Sequence, residues 1–263
     1  MWTYQHQQFI VHQLPVLRDN YIYIIQDRHS PVVCVVDPAL AEPVIEACSQ
    51  LNITPTHILN THHHWDHTDG NQKLVQTYQC EVVANQDDAS RIPYISQPIA
   101  ANNAFTLGHL NIQSIEVYGH TLGHIAFIID DALFCGDTLF GAGCGRLFEG
   151  SFAQMWVSLQ KLAALDNHTK VYCAHEYTLV NLQFAQGIDP DNAQLQQRVL
   201  DDKQKRRKKQ PTIPSNIGLE KQTNPFLRPL DHTFCEKYSQ KHQNSGTNPL
   251  EVFSAIREAR NSF

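Results

Sequence analysis

The chain has 263 residues, a formal net charge of −6, 17 % charged residues and 42 % hydrophobic ones. That length accommodates one large domain, or a main domain with a smaller one attached, and the acidic balance excludes a general affinity for nucleic acid or anionic membranes. The amino-terminal residues lack the basic start and apolar stretch of a signal peptide, no later run is long enough to span a bilayer, and the seven cysteines are scattered, as in Cys34, Cys135 and Cys173 within strand-like runs, rather than arranged as a disulfide framework. A cytoplasmic protein is the expectation.

Taken in chain order, Tyr21–Ile25 and Val32–Val36 read as neighbouring strands joined by a polar turn. Pro43–Leu51 reads as a helix, with Val44, Ala47, Cys48 and Leu51 on one face. His57–Asn60 is a short strand that runs into Thr61-His62-His63-His64-Trp65-Asp66-His67. Glu81–Ala84 and Ile112–Tyr118 are further strands, and Ile125–Asp130 with Leu133–Cys135 forms a hairpin. Ser151 opens a helix whose Ser151 and Gln154 fit a capping box, with Phe152, Met155, Leu159 and Leu162 at helical spacing as a core stripe. Val171–Ala174 is the last strand of this part. Beyond residue 178 the strand signals stop: Leu179–Gln186, Asn192–Lys209 and Pro249–Arg260 read as helices, linked by segments containing Pro211, Pro214, Pro225 and Pro229. The basic run Lys203–Lys209 is best explained as cations at a helix C-terminus, where they complement the dipole. The pattern is α+β over residues 1–177, with an α-helical domain over 178–263.

Four strand-like runs end in residues of metal-ligand type: the first leads to His62, with His64, Asp66 and His67 close behind, and the others to His120, Asp137 and His175. Imidazoles and carboxylates are costly to crowd together unless a cation compensates them, and both are ligands for zinc, iron and manganese. One ion takes three or four protein ligands, so seven candidates suit two ions with a bridging carboxylate. Taken singly, Asp66 is equally a helix N-cap and Asp137 a turn residue, and the run from Gly119 to His124 does not decide between His120 and His124.

The segments Thr61–His67, Gly119–His124, Phe134–Phe140 and Tyr172–Thr178 together resemble the metallo-β-lactamase superfamily, and within it the glyoxalase II (hydroxyacylglutathione hydrolase) family. Gly143–Gly150, Lys221–Arg228 and the pair Arg257/Arg260 extend the resemblance over nearly the whole chain. It implies a four-layer αββα sandwich with a smaller α-helical C-terminal domain. It implies two divalent metal ions, zinc first and iron or manganese as alternatives. His62, His64 and His120 would bind the first ion, Asp66, His67 and His175 the second, and Asp137 would bridge them; His124 would then be structural. It implies a small-molecule substrate, a glutathione thioester such as S-D-lactoylglutathione, cleaved to glutathione and a 2-hydroxy acid such as D-lactate by a hydroxide held between the ions, with Asp66 orienting it. The substrate carboxylate would be held by Arg146, Arg257 and Arg260, with Tyr177 against the glutathione moiety. Phe148 stands where some members have tyrosine, and Arg260 where many have lysine. A monomer without nucleic-acid or membrane partners is expected, and the alternative on the same fold is a persulfide dioxygenase with a single iron.

Overall fold

Tyr21–Ile25 lies within a longer strand because residues on both of its sides find cover. In the computed structural model, which describes residues 1–242 and 246–263, that strand runs Asn20–Asp27 and seven of its eight residues are buried. Labelled in chain order, β1 (Trp2–Gln5), β2 (Phe9–Val16), β3 (Asn20–Asp27) and β4 (Val33–Val36) form an antiparallel meander. The helix α1 (Ala41–Leu51) then crosses over to β5 (His57–Leu59), which pairs parallel with β4, as parallel neighbours require. A four-residue helix α2 (Trp65–Thr68) and α3 (Asn71–Tyr78) lead to β6 (Glu81–Asn85), and β7 (Gln97–Ile99) completes a seven-stranded sheet in the order β1 to β7. Val44, Ala47 and Cys48 of α1 and Leu74 of α3 pack on Ile22, Ile24, Val35, Ile58 and Val82 of this sheet. Burying each such aliphatic side chain stabilises the fold by about 1.5–3 kcal/mol.

An antiparallel meander follows: β8 (Ala104–Leu107), β9 (Leu110–Glu116), β10 (Ile125–Ile129) and β11 (Ala132–Gly136). Its β9 alternates buried and exposed residues, the period expected of a strand covered on one face. Edge-on packing of Tyr23 from β3 against Phe134 from β11, with centroids 5.6 Å apart, ties the two sheets together. These elements make one compact unit, Met1–Glu116 with Gly123–Gly136.

The second unit comprises Val117–Leu122 and Asp137–Phe263. It opens with a small hairpin, β12 (Leu139–Phe140) and β13 (Gly143–Cys144). Next comes α4 (Phe152–Ala163), whose capping box is present as expected: the Gln154 N–H donates to Ser151 Oγ at 3.2 Å, and the Ser151 N–H donates to Gln154 Oε1 at 2.9 Å. β14 (Lys170–Cys173) is followed by α5 (Thr178–Ile188) and α6 (Ala193–Arg207), which ends on Lys205, Arg206 and Arg207. A two-residue strand, β15 (Ser215–Asn216), pairs with β14, so the region past residue 178 is not purely helical. The unit ends with α7 (Ile217–Thr223), α8 (His232–His242) and α9 (Pro249–Asn261).

No helix among the described residues is long and apolar enough to cross a membrane. All seven cysteines are free and buried. Burial, and then the nearby Asp27 carboxylate, push the Cys34 thiol up to about 12, and burial pushes Cys48 up to about 11. A thiolate is therefore scarce at neutral pH. The native protein is expected to leave all its thiols unreacted with an aromatic disulfide reagent over minutes and to release all seven in denaturant; fast reaction of any thiol in the native state would contradict this burial.

Candidate metal centre

The first unit contributes a loop between a strand end and a short helix. His62 follows β5 and is fully buried, His64 occupies the N-cap position of α2, and Asp66 and His67 lie within that helix. Asp66 is therefore not the cap. His62 Nε2 and His64 Nδ1 face each other at 3.0 Å, and the His62 and His67 rings are 4.1 Å apart. His67 Nε2 lies 3.7 Å from Asp66 Oδ2. These four side chains are thus gathered at one place.

Groups outside the loop aim them. The buried Asp37 carboxylate, just past β4, accepts from the Thr61 N–H at 2.8 Å and the Thr61 hydroxyl at 2.7 Å. Its Oδ2 also lies 3.0 Å from His67 Nδ1. A carboxylate on Nδ1 holds the proton there and leaves Nε2 as the basic nitrogen, the arrangement that metal-binding histidines use. Asn20 donates to Asp66 Oδ2 at 3.0 Å. Asp88, fully buried, lies 3.3 Å from His63 Nδ1 and takes two bonds from Arg91. The His124 ring stacks on His62 at 4.5 Å. Gly136 has φ +48°, and a Cβ there would meet Thr61 Oγ1 at 2.3 Å and the His124 ring at 2.8 Å, so only glycine fits this approach. The sequence reading passed over Asp37, Asn20 and Asp88; the one available signal was that Asp37 directly follows an apolar strand, as His62 follows β5 after two intervening residues.

The second unit gathers the other three candidates around one carboxylate. Asp137 Oδ2 lies 3.4 Å from His120 Nε2, and Asp137 Oδ1 lies 3.3 Å from His175 Nε2. His120 Nδ1 donates to the Arg146 carbonyl at 2.6 Å, which again leaves Nε2 as the basic nitrogen. His175 lies flat on Tyr177, with centroids 4.8 Å apart, and Phe140 meets both rings edge-on. All three candidates are buried, at 4 % to 7 % exposure. Buried imidazoles and carboxylates with basic nitrogens turned inward and no thiolate suit a divalent cation of borderline or hard character.

Arg146, Tyr177, Arg257 and Arg260 line one cavity of about 260 Å³ in this unit, beside Cys144 and Asn181. Among the described residues aromatic faces, not acids, support the guanidinium groups: Arg146 lies over Phe148 at 5.7 Å, Arg257 over Phe226 at 5.3 Å, and Arg260 over Phe184 and Phe263 at 5.7 and 5.4 Å. Arg257 is 5 % exposed, and its Nε has no hydrogen-bond partner among the described residues. Burial, and then the charge of Arg257 alongside, pull Arg260 below its ordinary value. A buried cation without an anion is costly, so the cavity suits a negatively charged ligand, and paired forks of this kind suit a carboxylate.

The family model "Metallo-beta-lactamase superfamily" matches residues 17–175, and the model "Hydroxyacylglutathione hydrolase C-terminus" matches residues 176–263. A hydroxyacylglutathione hydrolase from Rhodospirillum rubrum is 47 % identical over 255 residues, covering 96 % of this chain and 98 % of the relative. One from Methylococcus capsulatus is 46 % identical, covering 95 % and 97 %. Among solved structures, ETHE1 from Myxococcus xanthus aligns with a TM-score of 0.64 at 23 % identity over 95 % of this chain and 98 % of its own. TTHA1623 in a di-iron-bound form aligns at 0.59 with 22 % identity, covering 82 % and 99 %. The two structural likenesses speak to the fold alone, the α+β metallo-β-lactamase fold with a helical C-terminal part. Relatives matched over nearly their full length at this identity, and two models that together cover residues 17 to 263, decide the membership: the chain belongs to the hydroxyacylglutathione hydrolase family.

Proposed function

We propose that the protein hydrolyses S-(2-hydroxyacyl)glutathione, with S-D-lactoylglutathione as the reference substrate, to glutathione and a 2-hydroxy acid, using two divalent metal ions. The observation that carries this reading is Asp137, which turns one carboxylate oxygen to His120 and the other to His175. A carboxylate so shared is what a bridge between two ions needs. His62, His64 and His120 would hold one ion and Asp66, His67 and His175 the other, with zinc the first choice. The di-iron state named for TTHA1623 supports a two-ion site on this fold and keeps iron open. The meeting of the two family models at residues 175 and 176 supports a catalytic domain over 1–177 and a substrate-binding domain over 178–263. Buried free thiols support a cytoplasmic location.

When bound, the ions supply Lewis acidity: a nucleophile at neutral pH and polarisation of the thioester carbonyl. The chain's own residues do the rest. Asp66, fixed by Asn20, would accept a hydrogen bond from the attacking water and so orient it. Arg257 and Arg260 clamp a substrate carboxylate, and Tyr177 borders the same cavity. The leaving thiolate needs no general acid, because an ordinary thiol has a pKa of about 8.5.

Turnover of S-lactoylglutathione, read as loss of thioester absorbance, is expected to vanish on chelation and return with added metal; an apoenzyme of full activity would sink the proposal. Arg257→Ala is expected to raise KM for this substrate by roughly tenfold or more while kcat changes little, the size of one lost charge-assisted contact. An unchanged KM would remove Arg257 from the binding site. Asp37→Ala is expected to weaken metal binding by about 10- to 100-fold in a competitive chelator titration, since it releases the Nδ1 proton of His67; wild-type affinity would show that Asp37 does not orient this ligand.

A further inference from the structure

The hairpin β12–β13 joins two parts of the site. Asp137 lies just before it and Arg146 just after it, while its Phe140 ring meets His175 and Tyr177 at 5.9 and 5.3 Å. The carbonyl of Cys144, its last residue, accepts from Arg257 Nη1 at 3.4 Å. One strand pair of two residue positions is too little to hold a fixed shape alone, and its turn residue Ala142 sits at φ +53°, a conformation unfavourable for alanine. Something must hold it from outside.

We propose that Glu220 and Asn224 are positioning residues that strap this hairpin and thereby set the geometry of the guanidinium cavity. Asn224 Nδ2 faces the Gly143 carbonyl at 2.9 Å and the Phe140 carbonyl at 3.3 Å, so it bridges both strands. Glu220 Oε2 accepts from the Ala142 N–H at 2.9 Å and from Asn224 Nδ2 at 3.1 Å, securing the strained turn. Both residues are fully buried. Glu220 is itself held: Arg198, 4 % exposed, donates to Oε1 at 2.6 Å and reaches Thr223 Oγ1 at 2.6 Å and Asp202 at 3.3 Å, and Ser215 donates to the same Oε1. Burying a carboxylate is costly, and this one buys little as a plain fold device, because a hydrophobic filler of equal volume would often serve as well. Its use is to fix, together with Asn224, a backbone N–H and two backbone carbonyls of the hairpin against α7, while Asn181 holds the Gly141 carbonyl from α5 at 3.0 Å. The consequence is a chain of contacts from α7, through the hairpin, to Arg257 by way of the Cys144 carbonyl and to Tyr177 by way of Phe140.

The inference rests on the proposed reading of the cavity as a glutathione site, and the test separates the two. Asn224→Ala is compared with wild type for kinetics on S-lactoylglutathione, for glutathione affinity by calorimetry, and for bound metal. The expected result is a KM and a glutathione Kd both raised roughly tenfold, the size of a lost buried hydrogen-bond partner, with kcat within about threefold and metal content unchanged. Unchanged KM and Kd, or a fall in kcat and metal content alone, overturns the positioning role. Should Asn224→Ala not fold, Asn224→Leu keeps the volume and loses the donor to the Phe140 and Gly143 carbonyls without adding a charge beside Glu220, and the same Kd shift is expected of it. A wild-type protein that binds glutathione without turning over the thioester refutes the proposed activity and leaves the Kd comparison to decide the strap; one that neither binds nor turns over refutes both.

Discussion

Compensation of buried charge governs this molecule. His62, His67, His120, Asp137 and His175 are almost entirely withdrawn from water, and with the half-buried His64 and Asp66 their nitrogens and oxygens approach, within each unit, to between 3.0 and 3.7 Å. Basic nitrogens and carboxylate oxygens so packed suit a cation among them, and a second set of groups keeps them in place. Asp37, Asn20 and the Arg146 carbonyl each hold one candidate ligand in a set orientation. The guanidinium cavity shows the same logic with the sign reversed. Arg257 and Arg260 rest on aromatic rings, which tolerate a cation without neutralising it, and in the proposed reading the substrate carboxylate brings the neutralising charge.

The architecture serves this arrangement by placing ligands where strands end. β5 runs into the His62 loop, β11 runs into Asp137, and β14 runs into His175. Strand ends are well suited to the task, because a packed strand fixes the backbone up to its last residue and the loop beyond is free to turn a side chain. Backbone features finish the work. Gly136, in the left-handed region, lets Thr61 and His124 approach closely, and Ala142 adopts a comparable conformation under the restraint of Glu220.

Legibility in the sequence followed the length scale of the signal. The His62–His67 loop could be read directly because its chemistry is contiguous, and so could the Ser151/Gln154 capping box. The continuous apolar runs of β3 and β4 and the stripe of α4 were plain for the same reason. The choice between His120 and His124 was not open to residue-level reading, since both follow similar turns; the fold sets His120 against Asp137 and stacks His124 on His62. β1 and β2 went unread because their polar residues obscure the alternation: Gln13 and His12 are buried in β2, held by partners from β1, Tyr4 and Thr3. Glu220 gave no warning either. In a short helix beside Lys221 and Gln222 it looks solvated, and only the fold reveals Arg198 opposite it. Long-range pairing of this kind leaves no periodic trace in a single chain.

Metal stoichiometry is the most direct test of the central claim. Purified protein loaded with zinc and freed of loosely held metal should contain about two ions per chain by elemental analysis, falling towards one when Asp66 and His67 are both replaced by alanine. One ion per chain in the fully loaded wild type, or a stoichiometry untouched by that replacement, would contradict the account.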